Sequence, residues 1–167
     1  MKAKQTQRGF MVIEALIAIL IFSLGILGLV AMGSTAIGAQ SDARFRTDAA
    51  ALADEIAGQM AVTAARDLNP VTGVDLVLQN SLLTYAHQTT GVATAAGCAF
   101  SGGVGNPLVT TWAAGVVGGP RRLPGATPQT IQIVVLPAAL NQVTITLCWQ
   151  GPNDQAMRRH TLVTYIN

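Results

Sequence analysis

The chain is 167 residues long, 50% hydrophobic and only 11% charged, with a formal net charge of +2. That length holds one modest domain, and the composition excludes a polar disordered tail. Lys2, Lys4 and Arg8 supply three of the ten basic residues, so the remainder is within one charge of neutral and carries no large basic field for gripping nucleic acid.

The mean hydropathy of +0.44 is high for this size, and the excess lies near the N-terminus. From Ala15 to Gln40 no residue is charged, and from Ala15 to Gly33 the only polar side chain is Ser23. A bilayer core of roughly 30 Å requires about 20 apolar residues rising about 1.5 Å each, a requirement this run meets. Three cations precede it, and Asp42, Arg44, Arg46 and Asp48 follow as a mixed set. The positive-inside rule therefore puts the N-terminus in the cytoplasm and the remainder outside. A secretory signal peptide cut near the small residues Ala36 to Ala39 is the simpler alternative, but its apolar core normally runs about 7–15 residues. A lipoprotein signal is excluded because no cysteine precedes Cys98. A plain single-span envelope anchor stays open on composition.

Glu14 stands at the cytoplasmic edge of the apolar run, and nothing within the run pairs with it. A lone carboxylate costs about 2.5 kcal/mol or more at the centre of a membrane, and little if it rests among the headgroups. The residues around it, Arg8-Gly9-Phe10-Met11-Val12-Ile13-Glu14 followed by Ala15-Leu16-Ile17-Ala18-Ile19-Leu20, resemble the class III signal of type IV pilins and pseudopilins. In that family a short basic leader ends in glycine. The resemblance implies that a prepilin peptidase cuts between Gly9 and Phe10, that Phe10 is then N-methylated, and that Glu14 serves in assembly as the fifth mature residue. Met11 and Val12 depart mildly from the commoner Thr/Ser and Leu.

The resemblance divides the chain into a cleaved leader over 1–9, a membrane and assembly half-helix over 10–40, and a periplasmic head over 41–167. Cleavage would leave Phe10 an ammonium with no partner in its own chain and Glu14 a carboxylate in the same position. If subunits stack in a low-dielectric filament core, Phe10 of one meets Glu14 of the next, which offsets both desolvation costs and favours one axial register.

The helix is expected to continue past the membrane, since no proline occurs before Pro70 and the stretch from Ser41 to Ala65 is alanine-rich. Phe45, Ala49, Leu52, Ile56 and Met60 form one apolar stripe, a packing face. Asp42 with Arg46 and Arg44 with Asp48 are i,i+4 pairs, worth about 0.2–0.5 kcal/mol each. Gly25, Gly28 and Gly33 each cost roughly 1 kcal/mol relative to alanine in a helix. They permit bending, or close packing between helices. Major pilins commonly carry a proline here, where this chain has Ala31.

Further on, Asp67 to Gly73 reads as a turn, and Asp75 to Gln88 as a short helix with Leu76, Leu83 and Tyr85 partly buried. Gly91 to Pro107 is a Gly/Ala/Ser-rich connector. Its Ser101-Gly102-Gly103-Val104-Gly105 lacks the Lys and Ser/Thr of a phosphate loop and reads as a flexible loop. Leu108 to Val117 is a second short helix carrying Trp112, stopped by Gly118-Gly119-Pro120. The runs Thr130 to Leu136, Val143 to Trp149 and Thr161 to Ile166 read as strands of an antiparallel meander.

The expected class is α+β, a long N-terminal helix packed on a small antiparallel sheet of about three to four strands, which is also the type IV pilin fold that the resemblance implies. Leu24-Gly25-Ile26-Leu27-Gly28-Leu29, a cysteine ahead of Trp112, the turn Leu123-Pro124-Gly125 and a late strand ending in Trp149 resemble, more loosely, the PilV group of minor pilins. The function implied is that of a non-catalytic minor pilin that helps initiate assembly or sits in the tip complex. A minor pseudopilin of a type II secretion system is the alternative. Partners implied are other minor pilins, the major pilin, the prepilin peptidase, the inner-membrane assembly platform and the membrane itself. The location is the bacterial inner membrane before assembly and a surface filament afterwards.

Nothing in the sequence suggests an enzyme, a metal or a cofactor. His87 and His160 lie in no ligand cluster and read as surface or half-buried residues, and there is no Walker motif, carboxylate pair or CxxC. Arg121-Arg122 and Arg158-Arg159 read as solubilising or capping doublets. Cys98 and Cys148 are the only cysteines, and the outward topology places them in an oxidising compartment, where a disulfide between them is expected.

Overall fold

The computed structural model describes residues 10–67, 75–94, 97–152 and 154–167; the side chains of Phe10, Ser34 and Thr35 are not part of that description. Gly9 and most of the turn expected from Asp67 to Gly73 lie outside the described residues. The chain forms two compact units, over residues 1–41 and 42–167.

Helix α1 (Phe10–Thr63) spans 54 residues without a break, as the absence of proline leads one to expect. Gly25, Gly28, Gly33 and Gly38 all sit within it, and a Cβ added at any of them would meet nothing within 4 Å. Close packing within the chain therefore does not require these glycines. In the first unit every described side chain from Met11 to Gly33 is exposed.

In the second unit the remainder of α1 carries the apolar stripe. Ala49, Leu52, Ile56 and Met60 are buried, with Ala53 beside them, and Phe45 packs at the margin. Asp42 meets Arg46 at 3.0 Å and Arg44 meets Asp48 at 3.7 Å, the two i,i+4 pairs that the spacing allows.

The stripe shares a core with the three-stranded sheet β3 (Ile131–Leu136), β4 (Gln142–Trp149) and β5 (Arg158–Tyr165). The sheet is antiparallel in sequence order, with Ile133 opposite Ile145 and Ile145 opposite Leu162. Ile131, Ile133, Val135, Val143, Ile145, Leu147 and Trp149 are its buried residues in that core. Strand β5 begins three residues earlier than the expected Thr161, because Arg158, Arg159 and His160 continue the ladder opposite Trp149, Cys148 and Leu147. Their long polar side chains carry no β-branched signal, which is why the sequence pattern misses them.

Helix α2 (Leu76–Leu83) starts at Asp75, whose side chain accepts the Leu78 N–H at 2.8 Å. Its buried face is Leu78 and Leu82, not the expected Leu76 and Leu83, which are 59% and 47% exposed. The cap fixes the start of the helix, and Leu78 with Leu82 is the i,i+4 pair that packs in the core. Tyr85 lies beyond the helix end, buried, with its hydroxyl 2.8 Å from Thr63 Oγ1.

Helix α3 (Pro107–Gly118) has Asn106 as N-cap and proline at its first turn, and Gly119 closes it. The Trp112 indole N–H donates to the Leu52 carbonyl of α1 at 3.0 Å. The connector from Gly91 to Pro107 holds more order than its composition suggests. It contains the ribbon β1 (Ala93–Thr94) and β2 (Gly97–Cys98), and Thr90 bridges Ser101. Gly91 makes this tight path possible: its φ is +98°, and a Cβ there would lie 2.6 Å from the Ala99 carbonyl oxygen.

Candidate functional site

Ser23, the one polar side chain of the apolar span, donates its hydroxyl to the Ile19 carbonyl at 2.7 Å, so the helix satisfies it internally. Large apolar side chains cover all sides, among them Met11 at 78%, Phe22 at 69% and Leu29 at 72% exposure. A helix apolar all round belongs in a membrane or in a bundle core, and this one is long and apolar enough to cross a membrane once. Glu14 lies on it, exposed, one turn after Phe10. It is the only charged residue between Phe10 and Ser41. Gly9 lies outside the described residues, so of the three expected signal residues only Phe10 and Glu14 have a described place, both in the first two turns of α1.

In the second unit Cys98 of β2 and Cys148 of β4 are joined, with Cα atoms 6.3 Å apart. Cys148 is fully buried; with Cys98 and Phe100 it forms a small apolar cluster separate from the main core, which Ala93 and Met157 flank. The bridge fastens the ribbon to the sheet. Arg159 adds to this by donating to the Ala93 carbonyl at 2.9 Å.

The basic doublets have structural work. Arg121 pairs with Glu55 of α1, and Arg158 reaches Asp154 at 3.1 Å and Asp42 at 3.8 Å. The Arg158 hydrogen bond holds the Asp154 carboxyl below the usual carboxylate range. The Glu55–Arg121 pair borders a groove of about 580 Å³ between α1 and α3, lined by Leu52, Gln59, Thr111 and Trp112 among others. No group of His, Cys, Asp and Glu suited to a metal ion occurs among the described residues.

His87 departs from expectation. It is neither on the surface nor half-buried but 3% exposed, and its backbone pairs with Ile133 of β3. Its Nδ1 accepts the Gly105 N–H at 3.2 Å, which places the proton of the neutral ring on Nε2. Burial pushes its pKa down, and the Pro128 carbonyl nearby partly offsets this. That carbonyl does not meet hydrogen-bond geometry, so Nε2 is buried without a partner among the described residues. Gly105 and Pro128 are distant in sequence, so no local signal marks this position.

Compared with models of known families, with curated proteins and with solved structures, the chain matches none. What the geometry defines is an α+β protein with one long apolar N-terminal helix and a disulfide-fastened second unit.

Proposed function

We propose that this chain is a minor type IV pilin, a non-catalytic subunit stored in the inner membrane and drawn into a filament, where it helps initiate assembly or sits at the tip. The observation that carries the reading is the run from Arg8 to Glu14, in which a basic leader ends at Gly9 and Phe10 opens a 54-residue helix whose first half is apolar on all sides apart from Glu14. Glu14 supports it physically. A carboxylate at the edge of such a helix has no partner in its own span, and the amine created at Phe10 of a neighbouring subunit would supply one. The outer unit, a helix stripe and three antiparallel strands around one core, is compatible with the pilin head. The prepilin peptidase, the assembly platform, the major pilin and other minor pilins are the partners this reading requires.

The test combines processing with assembly. Mass spectrometry of the native protein is expected to show a chain starting at N-methylated Phe10. Glu14→Val is expected to leave membrane insertion intact and to remove the subunit from sheared filaments. An N-terminus near residue 40 would establish a signal peptide, and an uncut Met1 a plain anchor. Deletion of the gene separates the two machines: lost piliation and twitching favour the pilus, whereas lost protein secretion with normal pili favours a type II secretion pseudopilus.

A further inference from the structure

The small cluster around the disulfide has an oxidisable side chain at its margin. Cys148 is fully buried, so of the two cysteines only Cys98, at 9% exposure, retains contact with solvent. Met157 packs against this cluster and is itself half-buried. Its thioether lies beside the start of β2: a Cβ built on Gly97, the residue before Cys98, would stand 3.5 Å from Met157 Sδ. Gln155 and Ala156 are exposed, so Met157 is the side chain by which this segment turns back onto the bridge. The segment is anchored on either side. Gln150 Nε2 donates to the Asp154 carbonyl at 2.9 Å, the Gly151 N–H donates to Asp154 Oδ2 at 3.1 Å, and Arg158 holds Asp154 Oδ1.

The second unit has two methionines, Met60 and Met157. Met60 is fully buried in the main core, whereas Met157 is within reach of a small oxidant. Hydrogen peroxide converts a thioether to a sulfoxide. The sulfur lone pair attacks one peroxide oxygen, the S–O bond forms as the O–O bond breaks, and after proton transfer the other oxygen leaves as water. Sulfur loses two electrons and the peroxide gains them. The product is a polar group among Ala93, Cys98, Phe100 and Cys148, whose side chains offer it no donor.

We infer that Met157 is an oxidation site that guards the bridge. As a thioether it shields Cys98 Sγ from reducing thiols; as a sulfoxide it leaves the cluster and opens that sulfur to them. A thiolate then attacks Cys98 Sγ, and the S–S bond breaks with its electron pair on Cys148 Sγ, which takes up a proton. A second thiolate attacks the mixed disulfide, which releases Cys98 and leaves the two external sulfurs bonded to each other. The disulfide's hold on the ribbon is thus lost only when a peroxide and a thiol act in that order. The inference does not rest on the pilin reading.

The experiment uses the full chain in detergent micelles, with or without hydrogen peroxide treatment, then freed of peroxide and exposed to dithiothreitol without denaturant. Peptide mass spectrometry reads the Met157 sulfoxide, and timed alkylation reads reduction of the bridge. Peroxide is expected to oxidise Met157 before Met60 and to speed reduction roughly tenfold, the factor that one unpaired polar group in an apolar cluster corresponds to. Met157→Leu keeps the bulk without the reactive sulfur and retains the other four of the five methionines. Its bridge should be reduced as slowly as that of the untreated native chain, and peroxide should not change the rate. Met157→Ala should be reduced fast with or without peroxide. The rate for the oxidised native chain should stay flat up to about 1 M urea, as local opening requires. The inference is overturned if Met60 is oxidised as fast as Met157, if peroxide speeds reduction of Met157→Leu as much as that of the native chain, or if Met157→Ala is reduced at the native rate. A rate that climbs steeply with urea overturns it as well, since reduction would then pass through global unfolding.

Discussion

Removing the bridge between Cys98 and Cys148 tests how the second unit is held. The bridge closes a loop with a sequence separation of 50 residues, which contains α3, β3 and nearly all of β4. In the chain-entropy treatment such a loop loses about 14 cal/mol/K of unfolded-state freedom, or about 4 kcal/mol at 25 °C. The double variant Cys98→Ala/Cys148→Ala is preferred to serine, because Cys148 is fully buried and a hydroxyl there would lack a partner. Losing two sulfur atoms from the cluster with Phe100 and Met157 adds a packing cost to the entropic one. The expected total is about 4–5 kcal/mol, a large share of the stability of a small domain, with a fall in melting temperature of roughly 10–15 °C. Urea titration followed by Trp112 and Trp149 fluorescence, with alkylation under non-reducing conditions, measures both stability and bridge. Two alkylatable cysteines in the protein recovered from its native compartment would remove the premise. A loss under about 1 kcal/mol from a verified disulfide would refute the account of the ribbon as tethered chiefly by this bond.

Ile56 is fully buried at the centre of the α1 stripe, so Ile56→Ala is expected to cost about 2–5 kcal/mol in the same titration, with wild-type stability counting against α1 as the core of the unit. Arg121→Ala should cost less than about 1 kcal/mol because its pairing with Glu55 is half-exposed on both sides; a larger loss would mean that the pair also shapes the α1–α3 groove. His87 has its pKa lowered in the folded state, so the unfolded chain binds its proton first. Its contribution is present above about pH 6.5 and is lost as pH falls below that value, at a slope of no more than about 1.4 kcal/mol per pH unit. His87→Leu should flatten that part of the pH–stability curve, and an unchanged slope would reject His87 as its source.

What the sequence discloses follows the range over which each signal acts. The α1 stripe, the two i,i+4 ion pairs, the glycine stop of α3 and the β-branched cores of β3 and β4 are written within a few residues, and the fold realises each of them. Glu14 is legible for the same reason: it is a charge beside an uncharged run, visible without a third dimension. The misreadings arise where distant residues decide. The phase of α2 depends on which leucines meet the distant core: Leu78 and Leu82 join it, and Leu76 and Leu83 stay exposed. The ribbon within the Gly-rich connector forms where Cys98 meets Cys148, Arg159 meets Ala93 and Thr90 meets Ser101, none of which raises local strand propensity. His87 and Gln88 read as the last residues of the short helix expected from Asp75 to Gln88, which ends at Leu83 instead. They become buried only once Gly103, Gly105 and Gln132 bond to them. The signals that act within a few residues are therefore concentrated along α1, whereas the order of the second unit depends on contacts between distant residues that local patterning does not encode.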